Sequence, residues 1–176
     1  MVPLTDIREP ILAHYLIAFT DLRAFVRVAR HLGTSAEVFR FLDDLAHLMS
    51  RIVDVTSGKI LKFIGDSALV VYPGEFADLG ARNLLELKSS VDAHIAALGL
   101  ESRLAVSAHY GEASIGPFGP ERRLDIFGDN VNRAATAAAG DRRVDFVITP
   151  EAFRRLESDT RKLFKKYTPP IVYVAA

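Results

Sequence analysis

Two acidic residues lie where they can do chemistry together. Asp66 sits in Lys62-Phe63-Ile64-Gly65-Asp66-Ser67, between two apolar runs at 59–64 and 67–72. Both runs are rich in β-formers, and a two-residue Gly-Asp link suits a tight hairpin because glycine takes positive φ freely. Asp66 is therefore predicted at a hairpin tip, where an aspartate alone usually serves turn chemistry. The second acid, Asp21, follows another predicted strand, 14–20, and one long helical pattern separates it from the hairpin. A strand, a crossover helix and a strand form a right-handed unit with parallel strands, so both C-terminal ends open at one sheet edge. Asp21 and Asp66 are predicted to face the same solvent. Two carboxylates converging there suit divalent cations, and paired cations are the usual device for displacement at phosphorus.

The composition is compatible with such a site and excludes several others. A chain of 176 residues, 49% hydrophobic and 25% charged, is expected to form one domain spanning 1–176 with a full core. Lys plus Arg and Asp plus Glu both number 22, so no net field recruits nucleic acid or an anionic membrane. Cysteine is absent, which removes disulfides, thiol catalysis and thiolate metal sites. No apolar run approaches a membrane span and the N-terminus lacks a basic region with a small-residue cleavage site, so a soluble, cytoplasmic protein is expected.

The elements that must position the acids follow from periodicity. Thr34-Ser35-Ala36-Glu37 reads as a capping box, and Val38, Phe41, Leu42, Leu45, Leu48, Met49, Ile52 and Val53 follow at helical spacing to about residue 56. After the hairpin, Pro73 and Gly74 break the strand, and a second amphipathic helix is predicted over about 76–97, carrying Leu79, Leu84, Leu87, Val91 and Ile95. Residues 103–110 form the next strand, leading through Gly111 and Glu112 to Ile115; an irregular loop from Gly116 to Pro120 precedes a strand at 122–127. Asp129 or Asn130 is the expected N-cap of a short, alanine-rich helix, 131–139. A strand at 146–149, a helix from Pro150 to about Glu157 and a terminal hairpin, 163–167 with 171–174, complete the chain. The order βαββαβ, with strands added after it, predicts an α+β fold: a ferredoxin-like core whose mostly antiparallel sheet carries helices on one face.

Four stretches in order carry a resemblance: Ala18-Phe19-Thr20-Asp21-Leu22-Arg23-Ala24-Phe25, the run from Gly58 to Asp66, His109-Tyr110-Gly111-Glu112, and the run from Arg122 to Asn132. Over roughly 14–175 the chain resembles the class III nucleotidyl cyclase catalytic domain, the adenylyl and guanylyl cyclase homology domain. The resemblance implies a head-to-tail homodimer with each active site between two subunits. Asp21 and Asp66 would hold two divalent cations, Mg²⁺ or Mn²⁺, on one subunit, while Lys62 and Asp125 of the other would read the base. An ammonium donates to ring N1 of adenine and a carboxylate accepts from its exocyclic amine, whereas guanine presents an acceptor there. The implied substrate is ATP rather than GTP, and the implied products are 3′,5′-cyclic AMP and pyrophosphate. By the same resemblance Asn132 orients the ribose, Lys165 or Lys166 meets phosphate, and Phe25 belongs to the substrate-binding set.

Two departures oppose this. The family carries an Arg four residues after the Asn, stabilising charge on the transferring phosphorus; here that position is Thr136. Arg133 points about 100° away around the helix, leaving Arg122, Arg123, Arg142 or Arg143 to reach in from elsewhere. In the first metal loop, Ala24 and Val26 stand where the family usually has Gly and Thr, so a Cβ at Ala24 crowds a loop whose N–H groups should cradle the triphosphate. The alternatives are a degenerate homologue that binds nucleotide or partner protein without turnover, and a cyclase for another nucleotide.

Overall fold

The computed structural model describes residues 3–137, 144–168 and 170–176. Its centre is strand β1 (Ile11–Leu22), flanked antiparallel by β3 (Ser67–Pro73) and β4 (Leu104–Phe118). β2 (Lys59–Ile64) lies outside β3, and on the other side β6 (Phe146–Ile148) runs parallel to β4, followed by β8 (Val172–Ala175) and β7 (Phe164–Tyr167). β5 (Arg123–Phe127) pairs only with the distal half of β4. The α+β class and the mostly antiparallel sheet are as expected from the sequence.

β1 and β2 are not neighbours, because β3 lies between them and is antiparallel to both. They nevertheless run in the same direction, so the ends carrying Asp21 and the β2–β3 turn coincide. β4 does not stop at Gly116: Gly116, Pro117 and Phe118 continue it against β5. Past Ile115 it has left β1 behind, and a proline without an N–H is tolerated at such an edge.

Period-two alternation along β1 separates two cores. Leu16, Ala18 and Leu22 face α2 (Ser35–Asp54) and α3 (Ala77–Ala97), meeting Phe41, Leu45, Met49 and Val53 of one helix and Leu84, Leu87, Val91 and Ile95 of the other. The predicted capping box starts α2: Thr34 Oγ1 accepts from Glu37 N, and the Glu37 carboxylate accepts from Thr34 N, both at 3.2 Å. The Tyr72 hydroxyl donates to Asn83 Oδ1 at 2.6 Å and Asn83 Nδ2 donates to Ile52 O at 2.9 Å, tying β3, α3 and α2 together. Tyr15 and Ile17 point the other way, into a smaller core with Leu69, Val71, Ile115, Ile126 and Ala134. Ala134 belongs to α4 (Asp129–Thr136), which lies on this second face.

Several local expectations are corrected. An additional helix, α1 (Phe25–Leu32), follows β1, and Gly33, at φ +87°, separates it from α2. Gly128 rather than Asp129 or Asn130 is the N-cap of α4, and no side chain caps it, because the Asn130 amide is turned onto the sheet, donating to Glu112 O at 2.8 Å. Thr149 caps α5 (Pro150–Phe153), but the helix ends earlier than expected. Glu157 N donates to Asp78 Oδ1 at 2.8 Å, drawing the chain onto α3 before α6 (Ser158–Arg161) begins.

Candidate active site

Asp21 is the penultimate residue of β1, and alternation places it on the face opposite α2 and α3. Ser67, the first residue of β3, donates its hydroxyl to Asp21 Oδ1 at 2.9 Å. Gly65, at φ +62°, turns β2 into β3 and leaves Asp66 half-buried at the tip. Burial pushes the Asp66 carboxyl above its ordinary value and the Asp21 charge pushes it the same way, while the N–H groups of Asp66 and Leu22 oppose them. The two acids are thus close enough to repel. Among the described residues no group of three or more His, Cys, Asp or Glu gathers to hold a metal. A carboxylate pair still fits Mg²⁺, which is ordinarily held by one or two carboxylates plus substrate phosphates. A cation held by these acids would offset both the burial and the Asp21 charge that raise Asp66. Beside Asp21 opens a cavity of about 290 Å³, lined by Arg23, Ser67, Ser107 and Ala135 among others.

Lys62 and Asp125, 63 positions apart, meet: Lys62 Nζ lies 2.7 Å from Asp125 Oδ2. A β-bulge makes this possible. Ile60 pairs with Val70 and Lys62 with Leu69, so Leu61 is the extra residue. Plain alternation would turn Lys62 toward α2; the bulge turns it instead to the side of Leu69, the same face as Asp21. Asp125 Oδ1 accepts from Ile126 N at 2.8 Å. A carboxylate has about four lone-pair sites and an ammonium three donors, so both side chains keep capacity for a ligand.

Asn132 is exposed on α4. The Thr136 hydroxyl donates to Asn132 O at 2.9 Å, folding back onto its own helix. Lys165 and Lys166 are both exposed on β7, and alternation separates them: Phe164 and Tyr173, the cross-strand partner of Lys166, pack on the α2–α3 core, leaving Lys165 on the face of α4. Phe25 is half-buried against the α2–α3 core and does not line the cavity beside Asp21. Ala24 adopts φ 59°, ψ 27°. Arg122 and Arg123 lie exposed at the β4–β5 turn, Arg123 paired with Glu121 at 2.7 Å; Arg142 and Arg143 fall outside the described residues.

The adenylate and guanylate cyclase catalytic domain profile matches residues 12–170. The chain belongs to this family. An adenylate cyclase of Anabaena cylindrica is 24% identical over 129 residues, covering 68% of this chain and 26% of the relative. The chain thus spans about a quarter of the length of that curated relative. A bacterial light-regulated adenylyl cyclase superposes with a TM-score of 0.79 at 23% identity, covering 99% of this chain and 54% of the other. The guanylyl cyclase domain of the RhoGC fusion protein from the aquatic fungus Blastocladiella emersonii, a double mutant, gives 0.80 at 14% identity, covering 96% and 97%.

Within this cyclase domain, two cavity residues escape sequence reasoning. Ser67 is marked only by adjacency to Asp66. Arg23 follows Asp21 closely, but its guanidinium is anchored 122 positions away, Nε to Asp145 Oδ1 at 3.3 Å and Nη2 to Val144 O at 2.9 Å. Nothing in the sequence announces that partner. Among the described residues no helix is long and apolar enough to cross a membrane.

Proposed function

We propose that this cyclase domain converts ATP to 3′,5′-cyclic AMP and pyrophosphate at sites shared between two subunits of a homodimer. The observation that carries the choice of nucleotide is the Lys62–Asp125 pair, held at 2.7 Å with hydrogen-bonding capacity to spare. Lys62 donates to adenine N1 and Asp125 accepts from the exocyclic amine, while Asn132 orients the ribose. Asp21 and Asp66 of the other subunit hold the divalent cations, Mg²⁺ or Mn²⁺. When bound, these ions supply Lewis-acid charge to the 3′-hydroxyl and the phosphates. The ribose 3′-oxygen forms the new bond to the α-phosphorus; the bond to the oxygen bridging toward the β-phosphorus breaks, and pyrophosphate leaves in line with that electron pair. The hydroxyl proton passes to solvent. Lys165, on the face of α4, is the better placed of the two lysines for phosphate.

Purified protein incubated separately with ATP, GTP, CTP and UTP, with Mg²⁺ or Mn²⁺ and product detection by mass spectrometry, tests this. Cyclic AMP that disappears in Asp21→Asn and Asp66→Asn is expected. A different cyclic nucleotide would overturn the assignment of Lys62 and Asp125. A second reading, nucleotide binding without turnover, is favoured by Thr136, whose hydroxyl is spent on Asn132 O. Charge-stabilising groups at this kind of position are worth roughly 10² to 10⁵ in rate. Stoichiometric ATP binding by a dimer that yields no cyclic product would select this second reading.

A further inference from the structure

Helix α4 has eight residues, about two turns, far below the length at which a helix is stable alone. Ala134 is its one buried residue, with Val131 packed half-buried beside it, so side-chain tethers add to a thin apolar contact in setting its position. One is the Ser107 hydroxyl, donating to Ala134 O at 2.7 Å. The other centres on His109, 1% exposed, on β4. Parallel pairing of β6 with β4 ends at Ala108, and pairing with β5 begins only at Ser114. Side chains fill the gap between. Asn130 Nδ2 donates to Glu112 O at 2.8 Å, and since a carbonyl only accepts, this fixes the amide with Oδ1 toward His109 Nε2, also at 2.8 Å. Nε2 therefore carries the proton and donates. His109 Nδ1 meets Thr149 Oγ1, the α5 cap, at 2.9 Å. From behind, Gly111 leaves room for Asn130: a Cβ there would fall well inside van der Waals contact with the Asn130 amide.

We propose that His109 is a positioning residue for nucleotide cyclisation. Its buried imidazole ties the first turn of α4 to the start of α5 and thereby fixes Asn132, two residues beyond Asn130. The assignment rests on the role proposed above for Asn132. A histidine with both nitrogens engaged in a core is ordinarily only structural; here one partner belongs to the same short helix as a substrate-orienting residue, and displacement of such a group by about 1 Å costs as much as 10²-fold in rate.

The test compares His109→Phe, Gly111→Ala, their double variant and His109→Gln in steady-state ATP turnover and in amide hydrogen exchange across residues 131–137. His109→Phe and Gly111→Ala are expected to lower kcat by about 10- to 100-fold, with KM for ATP within about twofold. The double variant should be little worse than the poorer single, since both act on one tether. His109→Gln keeps an N–H for Asn130 and should recover most of the loss. Exchange in α4 should quicken in the two impaired single variants while α2 and α3 keep their protection. Unchanged kcat in folded His109→Phe or Gly111→Ala, failure of Gln to rescue, or unaltered α4 exchange would each overturn the proposal. If His109→Phe does not fold, Gly111→Ala and His109→Gln carry the test. A wild-type protein that cyclises no nucleotide would defeat the proposed function instead, and α4 exchange would then decide the tether by itself.

Discussion

At the scale of single residues, Ala24 occupies an unusual position. It is the N-cap of α1, immediately after the strand that bears Asp21, with φ 59° and ψ 27°. An L-residue other than glycine pays about 1–2 kcal/mol there because its Cβ crowds the following carbonyl. Ala24→Gly removes that cost, and greater freedom in the unfolded chain returns about 0.4–1 kcal/mol. Net stabilisation of up to about 1.5 kcal/mol is expected, read as a midpoint raised by up to roughly 3–6 °C in thermal unfolding; a lower midpoint would show that the loop accommodates the Cβ without strain. Asp125 supports a different prediction. Its carboxylate can only accept, so as the proposed base reader it would favour the adenine amine and oppose the guanine carbonyl. Asparagine offers both a donor and an acceptor. Asp125→Asn should therefore narrow the ratio of kcat/KM for ATP over GTP by about tenfold or more, measured in side-by-side turnover; an unchanged ratio would remove Asp125 from base selection.

At the scale of elements, Asp78 holds the C-terminal part of the chain onto α3. Burial raises its pKa, but the Glu157 N–H, the Thr160 hydroxyl and the Arg82 guanidinium outweigh burial and leave it below its ordinary value. A carboxylate whose folded pKa is depressed contributes stability above the unfolded value, about 3.9, and loses it as pH falls through the folded pKa. Urea midpoints should therefore fall between pH 5 and pH 2 more steeply for the wild type than for Asp78→Asn; parallel profiles would show that the contact is energetically idle. This contact also explains what the sequence conceals. Elements with strong local signals were legible: the capping box of α2, the α3 stripe and the Gly-Asp turn each state their own geometry. The end of α5 was not, because it is set by an aspartate 79 positions away. Nor was the Leu61 bulge, which carries no local mark yet decides the face on which Lys62 lies. Asp21 and Asp66 are legible as a pair because strand direction alone brings their ends together, even though the sequence does not show that the second hairpin arm, β3, lies between β1 and β2.

At the scale of the molecule, Asp21, Lys62 and the helix that bears Asn132 share one sheet face whose cover is incomplete. Ile64, which register places beside Ser67 on this face, is 53% exposed, and Lys62 keeps 41% of its side chain open. α4 shields part of the second core, and Leu61 and Phe19 are only partly buried against it. An apolar surface rimmed by charges is a common feature of interaction sites, and a second copy placed head to tail would cover it while bringing the acids of one subunit to the base readers of the other. If each site is divided in this way, Asp21→Asn and Lys62→Ala inactivate different halves. A heterodimer of the two then has one site with both lesions and one with none. Random exchange makes about half of the dimers mixed, so two nearly inactive proteins should recover about a quarter of wild-type turnover on mixing. Sites contained within single chains would recover nothing, because every chain in the mixture carries a lesion. Native mass spectrometry of the same sample shows whether subunits have exchanged, and absence of recovery in a mixture with mixed dimers present would place the whole site in one subunit.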